Sequence, residues 1–450
     1  MAAETVEISG QWPMVGHFLP FIHNPLALLD RGRRENGPIF HTNVFGTSLW
    51  VMNEPAAVKH IFVDHPDRYT KQTQIWKRVR QIVGNGLLTS DGDFWKRQRR
   101  IIQPAFHRER LGRFAQIMAE EVDAQVVSWG QSALIPDLAH TMMALTLKIV
   151  VRSLFSSSVA EDTASIARAL DIIVGQTIER GLNPLSAPAW LPTPANQREA
   201  EARATMDGLV FRLITERRQA MTRGEALPHD LLSMLLEVKD ADTGEGMTDI
   251  QLRDEVLTLV AAGHETTAGQ LTWALFLAAR HPEVLANLRG EWDQVLGGRP
   301  PAMEDLPKLR LTKMALNEGL RLYPPAWFIG RFCEENDIVC GQAVKRGESV
   351  NICPWLLHRD ARHWEHPTEF HPEHFLPKQE DARPKYLFVP FGAGPRVCIG
   401  SAFAAIEAAI LFAHMAQKMD IVVMNKEHPR LRPGITLRAL DKIPVRVTRR

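Results

Sequence analysis

The longest stretch of low charge in the sequence covers residues 256–279, and it constrains the fold more than any other feature. About 20 apolar residues in a row are long enough to cross a bilayer as one helix. Here, however, His264, Glu265 and Gln270 would lie near the bilayer centre, where each charge costs about 2.5–3.5 kcal/mol. The sequence therefore predicts a long helix buried inside a large protein.

Further segments have the apolar spacing of helices and are separated by polar or proline-bearing breaks. They cover residues 114–129, 142–154, 165–180 and 199–221. Toward the C-terminus, a last helix is predicted from residue 399 to about residue 417. Helices therefore account for most of the predicted structure.

Extended runs are predicted near both ends of the chain. Those within residues 39–53 flank the turn-like Phe45-Gly46 and predict a hairpin. After Pro324 the sequence changes to short extended runs and loops, and it ends in strands such as residues 442–447. We see no internal repeat or long linker, so residues 1–450 are predicted to form one mainly α unit with a smaller β-rich region, an α+β fold.

Composition and charge exclude several classes of protein. With 53 basic and 52 acidic residues the net charge is +1, which gives no indication of a nucleic-acid partner or an anionic membrane. The first 13 residues lack a basic segment followed by an apolar run, so neither a signal peptide nor a membrane anchor is predicted. None of the four cysteines has C-x-x-C spacing, and the absence of this spacing fits reduced thiols in a cytosol. We expect a cytoplasmic monomer.

Residues 391–400 read Phe-Gly-Ala-Gly-Pro-Arg-Val-Cys-Ile-Gly and place a cysteine in an unusual setting. A free cysteine usually packs as a small hydrophobe. Here Gly392 and Gly394 allow the backbone to turn sharply and to pass close beneath a flat group. A helix predicted directly after Cys398 points N–H groups and its positive dipole end at the sulfur, which favours the thiolate. The pattern favours a metal ligand over a core side chain.

These ten residues match in full the pattern F-x-x-G-x-R-x-C-x-G, and the segment resembles the heme-binding loop of the cytochrome P-450 family. The resemblance implies that family's fold, a triangular prism of helices around a buried heme b, with Cys398 as the protein ligand to the iron. It also implies that Arg396 pairs with a heme propionate, that Phe391 shields the sulfur from water, and that Gly392 and Gly400 lie against the cofactor. Thiolate ligation favours cleavage of the O–O bond.

Trp95 and Arg99 have the W-x-x-x-R spacing that the same family uses to bind a propionate. At positions i and i+4 both side chains lie on one side of a helix. Arg331, seven residues after Pro324, is placed where many relatives have another propionate-binding arginine. The alternative for either arginine is a solvated surface charge, since arginine is usually exposed.

The predicted central helix is interrupted by Ala262-Gly263-His264-Glu265-Thr266-Thr267. Its glycine costs about 1 kcal/mol relative to alanine. The Thr266 hydroxyl can bond back to the carbonyl of Ala262 and open a groove in the helix. The segment resembles the family's oxygen-binding motif A-G-x-D/E-T-T. The resemblance implies that Ala262 borders the cofactor, that Thr266 hydrogen-bonds dioxygen and that Glu265 relays protons. The alternative is a Glu265 that is simply salt-bridged and a Thr266 that packs.

Glu318 and Arg321 supply the family's E-x-x-R element, and their spacing allows an ion pair on one helical face. Relatives usually complete this network with the arginine of a P-E-R-F element. Here Pro372-Glu373-His374-Phe375 carries a histidine, which lacks the permanent charge and the forked geometry of arginine. The fold expectation is unaffected, but the detail of the network is left open.

The resemblance spans nearly the whole chain and implies a monooxygenase. Dioxygen is the co-substrate, and two electrons come ultimately from NAD(P)H through a separate ferredoxin with its reductase or a flavodoxin-type donor. Lys96, Arg97 and Arg100 form either a basic docking patch for that donor or a merely solvated helix face. Two rival functions are a heme-thiolate isomerase or peroxide-driven enzyme and a non-catalytic heme sensor or electron carrier.

The expected substrate is a hydrophobic small molecule, such as a fatty acid, terpenoid, steroid or aromatic natural product, that is hydroxylated or epoxidised. By family position its pocket draws on mostly apolar segments. They are residues 75–88, 184–194, 259, 262, 326–329 and 434–437. Trp327 and Phe328 either narrow the space above the heme or pack outward.

Overall fold

Helices make up most of the protein in its computed structural model, which describes residues 6–156, 163–182, 187–188, 190–240 and 242–450. The α-helices are α1 (Phe18–His23), α2 (Pro25–Asn36), α3 (Pro55–Lys59), α4 (Gln74–Val83), α5 (Gly92–Ile102), α6 (Arg108–Ser128), α7 (Leu138–Phe155), α8 (Thr163–Leu182), α9 (Pro194–Thr222), α10 (Leu231–Glu237), α11 (Asp249–Arg280), α12 (Pro282–Leu296), α13 (Arg310–Leu322), α14 (Pro354–Leu357), α15 (Pro377–Ala382) and α16 (Ser401–Lys418). The predicted mainly α fold with a smaller β-rich region is confirmed.

The protein also contains twelve short strands among its described residues. They are β1 (Ile39–Val44), β2 (Thr47–Met52), β3 (Tyr69–Thr70), β4 (Ser132–Ile135), β5 (Ile329–Cys333), β6 (Asp337–Val339), β7 (Gln342–Val344), β8 (Ser349–Ile352), β9 (Met419–Val423), β10 (Leu431–Pro433), β11 (Leu437–Ala439) and β12 (Val445–Arg449). The largest sheet has the order β1-β2-β8-β5-β3, a second has the order β4-β12-β9, and β6-β7 and β10-β11 are two-stranded. The β2–β8 pair is parallel, and the other strand pairs in these sheets are antiparallel.

The predicted N-terminal hairpin is confirmed, with Ile39 opposite Met52. Phe45 (φ 50°) and Gly46 (φ 74°) form a two-residue turn in which both residues have positive φ. This backbone suits the twist of a tight hairpin. The Gly46 N–H also donates to the side chain of Asn43 at 2.9 Å, which fixes the turn.

Helix α11 is the buried helix that the low-charge stretch predicts, and it packs against α7, α13 and α16. It begins at Asp249, seven residues before the apolar run, because Thr248 and Gln251 form a capping box around its polar first turn. A Cβ added at Gly263 would lie 3.1 Å from Cγ2 of Val150, so the glycine permits close packing of α7 on α11.

One described helix, α7, is long and apolar enough to cross a bilayer, and 61% of it is buried inside the protein. It is not the stretch at residues 256–279 that raised this question in the sequence. Because most of α7 packs against other helices, its composition is that of a core helix.

Candidate active site

The cysteine loop folds through its backbone and its glycines. The N–H of Cys398 donates to the carbonyl of Phe391 at 3.0 Å, which closes the loop. Gly392 (φ 74°) and Gly394 (φ 70°) both adopt the left-handed conformation, and a Cβ on Gly394 would lie 1.8 Å from the carbonyl oxygen of Phe62. Gly394 is therefore required for the loop to approach the neighbouring backbone, as the glycine pattern indicates. Nothing lies within 4 Å of a Cβ added at Gly392, so that side of the loop is open.

Cys398 is an exposed residue, yet the protein surrounds it closely enough that burial raises the pKa of its thiol. The backbone N–H of Gly400 and the charges of Arg99 and Lys71 act in the opposite direction. Burial thus outweighs the lowering of the thiol pKa that the dipole of the following helix was expected to cause. The helix, α16, begins at Ser401 rather than directly after the cysteine. An iron bound to the sulfur would favour the thiolate against this burial.

A cluster of cations lies near the cysteine loop. Arg331 is 6% exposed and Lys71 is 7% exposed, and both interact electrostatically with Arg396. Burial and the charge of Arg396 lower the pKa of Arg331 to about 9, and burial together with both arginines holds the pKa of Lys71 well below its ordinary value. Asp91, at 2.7 Å from Arg396, is the carboxylate paired with this arginine. Arg331 and Arg396 therefore outnumber Asp91, the carboxylate that pairs with Arg396, and leave an excess of buried positive charge.

The excess of buried positive charge shows whether these residues fit a heme. Buried cations that repel each other are stabilised by anions in the same place, and a heme brings two propionate carboxylates. Arg396 and Arg331 are placed together as the family resemblance implies. Lys71 and Asp91 complete the cluster but lie outside the family motifs from which the site was predicted, and a lone lysine or aspartate carries no spacing signal. The residues present fit the cofactor.

Trp95 and Arg99 lie on α5, and the structure gives each a separate contact. The Arg396 guanidinium lies 4.3 Å from the Trp95 ring centroid, a cation–π contact that orients the arginine. Arg99 donates to the carbonyl of Val397 at 2.9 Å, directly before the cysteine. α5 therefore supports the cysteine loop through both residues, and their joint binding of one propionate stays a prediction.

The groove predicted in α11 depends on Thr266. Its hydroxyl donates to the carbonyl of Ala262 at 2.7 Å, the hydrogen bond that the sequence predicts. From α7, the Thr146 hydroxyl lies 2.9 Å from the His264 carbonyl in the same turn. With its proton given to Ala262, the Thr266 oxygen keeps lone pairs with which to accept a hydrogen bond.

Glu265 is buried in an ion pair, the alternative left open by the sequence, with a partner that the sequence did not indicate. Its carboxylate binds the Arg438 guanidinium, with Nε 2.5 Å from Oε1, and it accepts a hydrogen bond from Thr436. The Glu265 side chain is 5% exposed whereas that of Arg438 is 36% exposed, so the arginine connects the carboxylate to the surface. The structure therefore has the salt-bridged Glu265, and any proton relay through it requires Arg438 to release it.

Glu318 and Arg321 form a fully buried, two-pronged ion pair, with Nε and Nη2 each 2.7 Å from a carboxylate oxygen. The remaining N–H groups of Arg321 donate to the carbonyls of His358, Pro367 and Glu369 at 2.7–2.9 Å. All five guanidinium donors are thus used. The E-x-x-R pair therefore fastens α13 to the loop at residues 358–369.

His374 completes this network in place of arginine. Its Nδ1 lies 3.1 Å from Glu318 Oε1, and its Nε2 lies 2.7 Å from the carbonyl of Glu365. Burial acts to raise the pKa of Glu318, but the hydrogen bonds and charges of Arg321 and His374 lower it overall. Both neighbours of the ring are acceptors, so only the doubly protonated imidazole satisfies both. In that form His374 restores the positive charge that is otherwise lost when histidine replaces arginine.

His358 links this network to the cysteine loop. Its carbonyl accepts from Arg321, and its Nε2 accepts from the N–H of Val389 at 3.0 Å. Burial, together with the charges of Arg321 and Arg359, holds the pKa of His358 well below its ordinary value, so the ring is neutral and able to accept. Val389 lies two residues before Phe391, where the cysteine loop begins.

The arginines that suggested a docking patch are paired within the protein. Arg100 lies 2.8 Å from Asp240 and 2.9 Å from Asp242, and Arg97 lies 3.6 Å from Glu245. Lys96 lies 3.2 Å from Asp93. The partners of the arginines lie about 140 residues further along the chain, so no local pattern indicates them. The structure favours the solvated helix face over a free basic patch.

Parts of the predicted substrate pocket can be placed. Trp327 is 6% exposed, donates to the carbonyl of Gly434 at 2.9 Å and packs in a hydrophobic cluster with Leu28, Phe40 and Leu356. These contacts place Trp327 beside the predicted pocket segment 434–437, and its position relative to the heme stays a prediction. Within the predicted segment 184–194, residues 184–186 and 189 lie outside the described part of the chain.

A buried acid that the sequence did not single out lies on α16. Burial raises the pKa of Glu407 to about 8, against a weaker lowering by Thr267 of α11. Neither carboxylate oxygen has a hydrogen-bond donor of ordinary geometry among the described residues. Glu407 is therefore protonated at neutral pH.

Replacing Glu407 with glutamine is expected to remove a pH dependence of stability. The folded protein keeps this proton up to about pH 8, whereas the solvated glutamate of the unfolded chain, with its ordinary pKa of 4.5, loses it earlier. The free energy of unfolding of the wild type therefore falls as the pH rises from about 5 to 8. The difference in this free energy between Glu407→Gln and the wild type grows over the same range, to the order of 4 kcal/mol in favour of the variant. Denaturant unfolding at pH 5, 6.5 and 8 measures it. Exposed Glu427→Gln serves as the control, and an equal advantage at all three pH values would contradict the assignment.

Two neighbouring features fit two parts of one ligand, an iron porphyrin with its propionates. The cysteine loop suits the iron, and the nearby arginines suit the propionate anions. The site is thus of the heme-thiolate class. Residues 8–441 match the family model of cytochrome P-450, and the chain belongs to this family. It is a monooxygenase with the predicted fold.

Relatives in this family cover almost the whole chain. Cyclooctatin synthase of Streptomyces melanosporofaciens is 35% identical over 438 residues, 97% of this chain and 94% of that protein. Pentalenene oxygenase of Streptomyces avermitilis is 34% identical over 416 residues, 92% of this chain and 90% of that protein. The crystal structure of a cytochrome P-450 heme domain superposes with a TM-score of 0.87 at 26% identity, covering 99% of this chain and 98% of that one.

Proposed function

We propose that the protein hydroxylates or epoxidises a terpenoid with dioxygen and two electrons from a separate redox partner. The observation that carries the substrate class is the similarity, over more than nine-tenths of the chain, to enzymes whose names specify pentalenene and cyclooctatin chemistry. A terpenoid also suits the mostly apolar segments of the predicted pocket, such as Leu259 and Ala262. As part of the proposal the enzyme acts as a cytoplasmic monomer, which its free cysteines fit.

Heme, when bound, supplies the iron at which dioxygen is reduced. Cys398 would hold the cofactor through its sulfur, and Arg396 and Arg331 would pair with its carboxylates, which would offset the cost of burying the two arginines. Trp95 would orient Arg396 through the contact between its ring and the guanidinium. The arginine side chains would thus position the cofactor from within the core.

Proton delivery is proposed for α11. The Thr266 hydroxyl donates its proton to the Ala262 carbonyl, so its oxygen would accept a hydrogen bond from a proton-bearing group at the oxygen site and hold that proton in place. Glu265 joins this path when Arg438, the more exposed partner of the ion pair, swings away. The electrons come from NAD(P)H through a ferredoxin with its reductase or a flavodoxin-type donor.

The test is reconstitution with NADPH, a ferredoxin and its reductase, supplied with a panel of cyclic terpenoids, fatty acids and steroids. The proposal expects oxygenated product from a terpenoid and a spectral change at the heme when that terpenoid binds. Turnover of fatty acids alone would overturn the substrate class. Product formed without the electron donors would favour the peroxide-driven rival, and heme binding with no product from any compound would favour a sensor or carrier.

Replacing Thr266 with alanine is expected to uncouple the enzyme. The hydroxyl is removed from the proton path, and general acid–base groups contribute roughly 10²-fold or more to such steps. Product formed per NADPH consumed should therefore fall by roughly 10²-fold in Thr266→Ala, while heme content stays unchanged. Thr266→Ser keeps the hydroxyl and should retain most of the coupling. Full coupling in the alanine variant would favour the isomerase or peroxide-driven rival.

A further inference from the structure

Three side chains of the loop between α14 and α15 converge on one point of the surface. Donor atoms of His366, Glu369 and His371 all lie within 4.8 Å of one another. Glu369 Oε2 is 3.2 Å from His371 Nε2, and Oε1 is 3.8 Å from His366 Nδ1. The two imidazole rings are stacked, with centroids 5.0 Å apart. None of these side chains contributes to the heme site.

The backbone that carries them is held rigidly. Arg321 donates to the carbonyls of Pro367 and Glu369 at 2.7 and 2.9 Å, and the N–H of His371 donates to Glu318 at 2.9 Å. Within the loop, the N–H of Glu369 donates to the carbonyl of His366 at 3.0 Å. The buried ion pair therefore fixes the positions from which all three side chains project.

We propose that His366, Glu369 and His371 bind a divalent transition metal of the Zn²⁺ type, with water completing the coordination. Two imidazole nitrogens and one carboxylate oxygen form a common donor set for such ions, whereas Mg²⁺ and Ca²⁺ prefer oxygen ligands alone. Ligands about 2.1 Å from a tetrahedral metal are separated by about 3.4 Å. Small rotations of these exposed side chains bring the observed 3.2–4.8 Å separations to that value.

His374 is not a ligand, although its ring lies 5.9 Å from that of His371. Both of its ring nitrogens are occupied, by Glu318 and by the carbonyl of Glu365. The proposed metal therefore lies outside the ion-pair network and clamps the same loop from its solvent side. Its expected consequence is a stabilised loop, since a ligand that binds only the folded state raises the unfolding temperature.

The experiment is a titration of the tag-free holoprotein with ZnCl₂, followed by calorimetry and by competition with a chromophoric chelator. One Zn²⁺ per heme is expected, with a dissociation constant raised by about tenfold or more in His366→Ala, His371→Ala and Glu369→Gln. His107→Ala, at an exposed histidine on another element, should bind as the wild type does. X-ray absorption at the zinc edge should report two imidazole ligands, and MgCl₂ should not compete.

Each variant is first checked for an unchanged carbon monoxide difference spectrum, which shows that the heme site is intact. The proposal is overturned if the holoprotein binds no Zn²⁺, or if Zn²⁺ binds with equal affinity to the three variants. The second outcome would place the ion elsewhere on the surface. Because the readout is metal affinity, neither outcome depends on the identity of the oxygenated substrate.

Discussion

Replacement of Cys398 by alanine is expected to abolish the strongly red-shifted Soret band that the dithionite-reduced protein gives with carbon monoxide, and to reduce oxygenation to background. The band requires a thiolate ligand, and thiolate donation favours the O–O cleavage that oxygenation depends on. The loop itself should survive, because it is closed by the backbone hydrogen bond from residue 398 to Phe391 rather than by the side chain. The measurement is the reduced difference spectrum with and without carbon monoxide.

Cys340→Ala is the matched control, since Cys340 is also an exposed free thiol but lies between β6 and β7. Its difference spectrum should equal that of the wild type. A red-shifted band that persists in Cys398→Ala would contradict the ligand assignment. A wild-type protein that binds heme with an unshifted band would contradict it as well, together with the roles assigned to the surrounding residues.

Replacement of Arg321 by alanine is expected to cause a large loss of stability. It leaves the carboxylate of Glu318 buried without its partner, which typically costs about 3–5 kcal/mol. It also removes the donors to the carbonyls of His358, Pro367 and Glu369. We expect a decrease of about 3–5 kcal/mol in the free energy of unfolding and weakened heme retention. Denaturant titration, followed by tryptophan fluorescence and by Soret absorbance, measures both.

The control for Arg321 is Arg430→Ala, which breaks an ion pair with Asp441 whose arginine is 74% exposed. Exposed pairs contribute at most about 1 kcal/mol, so this variant should unfold close to the wild type. The double variant Glu318→Leu with Arg321→Met removes both charges and should recover part of the lost stability. Equal effects of Arg321→Ala and Arg430→Ala would show that the buried pair is not what holds the loop.

Much of the fold follows from local pattern, and its limits are visible in α11. The apolar spacing locates the buried part of that helix, but its first turn is polar and is set by the Thr248–Gln251 capping box. The same reason explains why α9 begins at Pro194, five residues before the apolar spacing starts. Helix ends depend on capping contacts that periodicity does not reveal.

The site was predicted where side chains act at fixed spacing and missed where they act across the chain. Thr266 and Ala262 are four residues apart, and their hydrogen bond follows from helix geometry. Glu265 and Arg438 are 173 residues apart, and no pattern in either segment indicates the pair. The same holds for Lys71, whose place beside Arg331 and Arg396 depends on the packing of three separate segments.

The hydrogen bonds from Arg321 reach only main-chain carbonyls in the loop, and those of Pro367 and Glu369 would be present whatever side chains stood there. Apart from the buried Trp364, whose ring centroid lies 5.0 Å from the Arg321 guanidinium, exposed side chains of that loop can therefore be substituted without loss of these hydrogen bonds, while insertion or deletion would displace the carbonyls and break them. Evolution can vary the chemistry of this surface without disturbing the interior. An engineer can use the same freedom to build a tighter chelate there and attach the enzyme, in a known orientation, to a metal-coated electrode.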